Sequence, residues 1–427
     1  MSTILFHLTL FALDIVVWVG LFLWIRSRRN TGVNHSSTYH FEKSLYAPAV
    51  VRRPSLAWDL AGVILLGSFG LVCFVVAVLA RLIYTNFVQE RFHHFNVGQS
   101  IAEGIALHGT LFLIVAASLL FWNRRYFFAV YFGCCALFLA VLSFNMLYWE
   151  PYHLRVEHYE IRTSKIKKPL RIVFVSDIQT DRVGFHEINT LKKIQEQKAD
   201  LIILGGDYIQ TVRGGQEKHL REQFRQLLLD YPLEAPLGVY AIVGNIRGNA
   251  QVNDFHMFRE TSVKFDWRTK IEYDLGIDKG WDPPIDLVLL SVEHSIAGLG
   301  ERGLTDSGNF IVMVGHYPNY AIDGYAAPGT GVSGNGYRNA ERAPDLMLAG
   351  HTHGGQIVIP FYGPMPWEGD QHLKQVPRTM WSGFFTYPNG GHLLVTRGSG
   401  MSRDRGPRIR LFCPAEISVI DIIPEPL

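Results

Sequence analysis

The spacing of apolar residues changes character once along the 427-residue chain. Before Pro151 they run in long blocks nearly free of charge; from Tyr152 onward short apolar runs alternate with charged segments, as in a globular domain. Four of the long blocks have helix length: Leu5 to Ile25, Leu60 to Tyr84, Leu107 to Trp122 and Tyr126 to Trp149. Crossing an apolar slab of roughly 30 Å takes about 20 helical residues. The pattern therefore predicts an all-α, four-helix transmembrane region over residues 1–150 and a second domain over 151–427. The third block is the shortest, and a buried helix of a soluble bundle is its alternative reading. The first block has no basic stretch ahead of it and no small-residue cleavage site behind it, which favours a retained helix over a signal peptide.

Basic residues in the short loops orient such a bundle. Arg26, Arg28, Arg29, Lys43, Arg52 and Arg53 follow the first block, and Arg124 and Arg125 follow the third, against Arg91 between the second and third and Arg81 at the end of the second. Loops one and three are then cytoplasmic. With four spans the C-terminal domain lies on the opposite side, which for a bacterial inner or cytoplasmic membrane is the periplasmic or outer side. Losing the third span would reverse that assignment, and the basic "RTSKIKKPLR" after the last span pulls the same way. Asp14 and His108 are ionisable groups in apolar blocks, where they are costly. No second charge inside a block offers Asp14 a partner, so anchoring is preferred to transport.

In the second half one pattern recurs: an apolar, largely β-branched run finishing on a polar residue. The runs are "LRIVFVSD" to Asp177, "ADLIILGGD" to Asp207, "GVYAIVGN" to Asn245, "NFIVMVGH" to His316 and "PDLMLAGHTH" to His353. Continuous apolar strands are buried on both faces of a sheet covered by helices. Between the first two runs Phe185, Ile188, Leu191 and Ile194 recur at helical spacing; between the second and third, Leu220, Phe224, Leu227 and Leu228 do so. These are βαβ units, whose ligands collect at the carboxyl ends of the strands. Tyr325 to Pro344, rich in Gly and small polar residues, reads as a long loop.

Taken singly, an Asp after a strand is ordinarily a helix cap or turn residue, "GN" is a turn, and a lone His is hydrogen-bonded. An ordered series of D, GD, GN, GH and GHxH closing five apolar runs is another matter. Two carboxylates, one amide and three imidazoles suit Mn²⁺, Zn²⁺ or Fe²⁺ better than Ca²⁺ or a thiolate-bound zinc. Six ligands exceed one ion's share. Two divalent transition metal ions about 3.5–4 Å apart, bridged by Asp207, would hold the attacking and leaving oxygens of a phosphoryl group.

Composition adds exclusions. Three of the four cysteines (Cys73, Cys134, Cys135) sit in apolar blocks and Cys413 has no companion in the second domain, so the fold is not built on disulfides. A net charge of +2 argues against a nucleic-acid partner.

These motifs resemble the calcineurin-like metallophosphoesterase superfamily, whose pattern is D-x-H, G-D, G-N-H-D/E, H and G-H-x-H. The resemblance runs from about Leu170 to the end, and "GHTHGGQI" with "VTRGSGMSRDRGPRIRLFCPAEISVI" is similar to its membrane-attached bacterial branch. It implies an α/β fold of two mixed β-sheets packed between helices. It also implies that Asp177, Asp207 and His353 serve one metal, and Asp207, Asn245, His316 and His351 the other. Gln179 stands where the family has a further histidine ligand; its amide oxygen is a neutral, weaker donor. Ile246 replaces the histidine that assists the leaving group, a loss that general acid catalysis puts at roughly 10²–10⁴-fold for poor leaving groups. Arg247, one place later, could clamp phosphate, or be a solvated loop residue. Arg397, Arg403, Arg405, Arg408 and Arg410 would attract an anionic substrate or lipid headgroup, or form a solvated, salt-bridged surface loop.

The sequence thus leads to a membrane-anchored phosphoesterase, in which metal-bound hydroxide hydrolyses a phosphate ester or diphosphate of an amphipathic or lipid-linked substrate. Asn245 and His351 are its candidate catalytic residues, and Arg247 and Arg397 its candidate substrate-binding residues. The alternative, motivated by Gln179 and Ile246, is a phosphoesterase-like domain that binds without turnover.

Overall fold

A computed structural model describes the chain from Phe95 onward, apart from residues 211–215, 247–249, 266–269, 277–283, 298–307, 323–336, 338–342, 366–371, 403–407 and 426–427. Before Phe95 it describes only Val16, Gly20, Ser68, Val72 and Val75. Nearly all of the first two apolar blocks, Asp14, Arg247, Arg403, Arg405 and nearly all of the 325–344 loop therefore lie outside the described residues. The chain divides into two compact units, the second of which contains Asn145–Leu427.

In the first unit, the third and fourth blocks are helical. Two helices, Ile101–Trp122 and Tyr126–Tyr152, are long and apolar enough to cross a membrane among the described residues, which is two of the four expected. The third block is longer than hydropathy indicates. Glu103 interrupts the apolar run but not the helix, because its carboxylate accepts from Gln99 Nε2 one turn earlier at 2.7 Å.

The second unit holds two six-stranded mixed sheets. The first contains β1 (Arg155–Thr163), β2 (Leu170–Val175), β3 (Leu201–Leu204), β4 (Val239–Ala241), β5 (Val263–Phe265) and β14 (Glu416–Pro424), in the order β1-β14-β2-β3-β4-β5. The second contains β6 (Lys270–Leu275), β7 (Ile285–Leu290), β8 (Phe310–Val314), β9 (Leu346–Ala349), β12 (Gly383–Thr386) and β13 (His392–Val395), in the order β12-β13-β9-β8-β7-β6. A two-stranded hairpin, β10 (Val358–Ile359) with β11 (Gly363–Pro364), stands apart. β2 through β5 run parallel, as do β7, β8, β9 and β13.

The layering follows from the two-residue period of a strand. Ile172, Phe174 and Ile203 point between the sheets, against Leu287, Val312, Leu346 and Leu348. Their neighbours Val173, Val175, Ile202 and Leu204 point outward and meet Leu191, Ile194, Leu220, Phe224 and Leu227 on the helices Phe185–Glu196 and Gln216–Asp230. On the far face of the second sheet, Val288, Ile311, Met313 and Met347 are covered by Tyr320, Met380 and Trp381. Both faces of the central strands are thus buried, which is why those runs carry no polar alternation. The fold matches the expected pair of mixed sheets with helices. β1 and β14 are additions: β14 inserts between β1 and β2, parallel to the first with Arg155 opposite Glu416 and antiparallel to the second with Ser418 opposite Phe174.

Candidate metal centre

β2, β3 and β4 in one sheet, and β8 and β9 in the other, end in the segments that carry Asp177, Asp207, Asn245, His316, His351 and His353. Backbone hydrogen bonds tie these segments together: Asp177 N–H donates to Gly206 O (3.0 Å), Gln179 N–H to Asp207 O (2.8 Å) and Gly350 N–H to His316 O (3.0 Å). Asp177, Gln179, Asp207, His351 and His353 all take positive φ, from 40° to 67°. That conformation is uncommon for residues with a Cβ and costs of order 1 kcal/mol or more at each position, and it concentrates at functional sites. Two close approaches fix the packing. A Cβ on Gly244 would lie 2.0 Å from Asp207 Oδ1, and one on Gly400 would lie 1.9 Å from Ile178 O, so both positions exclude any side chain.

Asp207, His316 and His351 form a buried cluster whose ligand atoms lie within 4.8 Å of one another. His316 Nε2 is 3.3 Å from Asp207 Oδ2 and 3.2 Å from Asn245 Oδ1, while its Nδ1 faces Gly205 O at 2.8 Å. A carbonyl partner on one ring nitrogen fixes the tautomer and leaves the other for a cation. A second group adjoins the first. His353 Nε2 lies 3.4 Å from Asp177 Oδ1, Asp177 Oδ2 accepts from His351 N–H at 2.9 Å, and Gln179 Nε2 donates to Asp207 Oδ2 at 3.2 Å. The seven sequence-derived ligand candidates thus occupy one site, with Asp207 between the two groups.

Electrostatics agree with cation binding. Burial alone would raise Asp207 and lower His316; their mutual attraction and hydrogen bond override it, holding Asp207 down at about 2 and lifting His316 to about 9. The two shifts describe one ion pair. Burial lowers His353 to about 4, against the opposing pull of Asp177, so its ring is neutral at ordinary pH. Among the described residues, Asp177 Oδ1, Gln179 Oε1 and His353 Nδ1 find no hydrogen-bond partner. Buried polar atoms are otherwise nearly always satisfied. A carboxylate oxygen and an amide oxygen left open there, beside three imidazoles and Asp207, are a donor set that fits a divalent metal ion. Neither group contains a thiolate, since the buried Cys413 thiol faces His353 O instead, at 3.3 Å.

The arginines behave differently from one another. Arg397 donates to Glu416 Oε2 and Glu157 Oε1, both at 2.7 Å, an ion-pair triad between the ligand loop and the first sheet. Its guanidinium fork is engaged there rather than directed at the ligand cluster. Arg408 pairs with Asp181. Arg410 is fully buried and donates to the carbonyls of Arg397, Gly398, Gly400 and Cys413, holding the loop whose Ser399 and Gly400 N–H groups bind Ser176 O and Asp177 O. A buried charge saturated in this way is a structural bracket behind Asp177. Tyr317 escaped the sequence reading. Its hydroxyl accepts from Asn245 Nδ2 at 2.7 Å and its ring lies 3.9 Å from that of His351, so it orients two ligands at once. The only sign of it in the sequence was its place directly after His316. Ile246 contributes its main chain: its N–H donates to Asp207 Oδ1 at 3.0 Å.

Residues 170–355 match the family model for calcineurin-like phosphoesterases. Similar proteins are bacterial. One from Aquifex aeolicus, described as an uncharacterized metallophosphoesterase, is 25% identical over 302 residues, covering 67% of this chain and 98% of its own. YkuE of Bacillus subtilis, described in the same words, is 26% identical, covering 64% of this chain and 87% of its own. Cj0846 of Campylobacter jejuni, likewise described, is 24% identical, covering 67% of both chains. Residues 170–355, which carry the ligand candidates to the ends of five strands, are thus the part of the chain that is similar to the calcineurin-like phosphoesterases.

Proposed function

We propose that the protein is a membrane-anchored, metal-dependent phosphoesterase that hydrolyses a phosphate ester or diphosphate of an amphipathic substrate. The observation that carries this reading is the buried pairing of Asp207, His316 and His351 with Asp177, Gln179 and His353, in which Asp177 Oδ1 and Gln179 Oε1 accept no hydrogen bond among the described residues. Asp177, Gln179, Asp207 and His353 would hold one divalent ion, and Asp207, Asn245, His316 and His351 the other. When bound, such ions supply Lewis-acid polarisation of the phosphoryl oxygens and a nucleophile at neutral pH. The chain's own part is positional. His316 is turned by Gly205 O, Asn245 is turned by Tyr317, and the left-handed backbone keeps the ligand side chains converging without rearrangement. Ile246 offers no proton, so the reading favours diphosphate or aryl leaving groups, which need little acid help.

The anchor rests on the helices Ile101–Trp122 and Tyr126–Tyr152, with Arg124 and Arg125 between them. The positive-inside tendency sets that loop in the cytoplasm and the phosphoesterase domain on the periplasmic or outer side.

The test uses the full chain purified in detergent, loaded with Mn²⁺, Zn²⁺ or Fe²⁺, counted for metal, and assayed on bis(p-nitrophenyl) phosphate and on a nucleoside diphosphate conjugate. Bound metal with hydrolysis that falls at least 100-fold in His351→Ala is expected. A metal-free chain inert on every substrate overturns the enzyme reading in favour of a binding domain, and one ion per chain would assign only the Asp207, His316 and His351 group.

A further inference from the structure

Five residues after His353 the chain enters the β10–β11 hairpin, several of whose apolar residues face solvent. Phe361 at its tip is fully exposed, and Ile359, Tyr362 and the nearby Phe412 are 40%, 57% and 51% exposed. Phe361 and Phe412 both hold positive φ, 67° and 53°. A bulky residue in that region is a true outlier, and here no ligand geometry requires it. The backbone is bent in both places, with the result that an aromatic ring is presented to solvent. The patch is continuous with the end of the long apolar helix. Val358 N–H donates to Leu411 O and Leu411 N–H to Gln356 O, both at 2.9 Å; on the other side of the same segment Arg410 N–H donates to Met146 O and Cys413 N–H to the buried Glu150 carboxylate. That helix end exposes Tyr148, Trp149 and Tyr152. Tyr and Trp are the residues enriched where a helix leaves a bilayer. Arg378 lies 5.1 Å over the Tyr362 ring and is itself exposed, a cation suited to lipid phosphates.

From these observations we infer that the β10–β11 hairpin and Phe412, together with the aromatic end of the helix Tyr126–Tyr152, form a surface that docks into the lipid–water interface of a bilayer. It rests on the membrane-anchored reading above. The patch is joined through the 410–413 segment to a helix end that bears exposed Tyr148, Trp149 and Tyr152, which favours a bilayer over a soluble partner. Isolated apolar residues on a surface need no explanation, but a cluster carried on strained backbone does. The hairpin cannot move independently of the metal centre. A Cβ on Gly355 would lie 2.6 Å from Pro364, and Gln356 exchanges hydrogen bonds with Ser402 through both its amide atoms. Seating the hairpin at the interface therefore sets the height of the ligand loop above the lipid headgroups.

The full chain is reconstituted into vesicles of dioleoyl phosphatidylcholine and dioleoyl phosphatidylglycerol, with Phe361→p-benzoylphenylalanine, Phe412→p-benzoylphenylalanine or, as an exposed site outside the patch, Asp230→p-benzoylphenylalanine. After flotation and irradiation, intact mass is measured. One lipid mass added at 361 and at 412, several-fold more often than at 230, is expected. Floating chain without a lipid adduct at 361, or with adducts between two copies instead, overturns the docking surface. Chain that does not float overturns the anchored reading and the surface with it. Turnover plays no part in the readout, so an inactive enzyme that still gives lipid adducts would sink only the phosphoesterase proposal.

Discussion

At the scale of single residues, His316 carries the sharpest consequence. Its folded-state pKa of about 9 lies above the ordinary imidazole value because Asp207 adjoins it. In the metal-free protein this pair stabilises the fold fully below about pH 6.5, and that contribution is lost as pH rises through 9. A divalent ion needs the same ring neutral, so it competes with the proton. Metal uptake at pH 7 should release a proton from His316, and affinity should climb about tenfold per pH unit before levelling near pH 9. Calorimetry in buffers of different ionisation enthalpy measures both; uptake with no proton release would mean His316 is not a ligand. The ligand candidates were legible because each closes an apolar run. Tyr317 and Arg410 were not, since both act through hydrogen bonds to parts of the chain distant in sequence. For Arg397, charge alone does not reveal that Glu157 and Glu416 engage its guanidinium.

At the scale of elements, the buried strands were readable and the edges were not. β2, β3, β4, β8 and β9 lie between two layers, so their sequences are unbroken apolar runs. β1 carries Arg155, Glu157, Glu160 and Arg162 on an edge, as edge strands do, and so gives no such signal. The strands also separate fold from site, because the ligands gather at one end of each. Phe310 begins β8, opposite Ile285 of β7, and is fully buried between the sheets. His316 lies beyond the strand's other end. Phe310→Ala should cost about 3–5 kcal/mol, the range for a buried aromatic truncation. Denaturant unfolding of the full chain would show it as a lowered midpoint, with metal per folded molecule unchanged. A loss of metal at full stability would contradict this division of labour.

At the scale of the whole molecule, long apolar helices and a phosphoesterase domain share one chain, and the sequence announced that through the change in spacing near residue 150. β14 contributes something that spacing did not announce. It is the last of the described strands in chain order, yet in space it fills the gap between β1 and β2, second from the sheet's edge, and its Ile420 and Ile422 complete the layer between the sheets. Its partners are made some 250 residues before it. While the polypeptide is being synthesised, every ligand candidate has left the ribosome before the strand that joins β1 to β2 exists. A chain stopped ahead of Glu416 should therefore hold all seven ligands, bind no metal tightly, and be cut by protease in β1 under conditions where the full chain is resistant. The domain's first sheet is closed late, and until then the nascent chain holds its ligand candidates without the sheet that positions them.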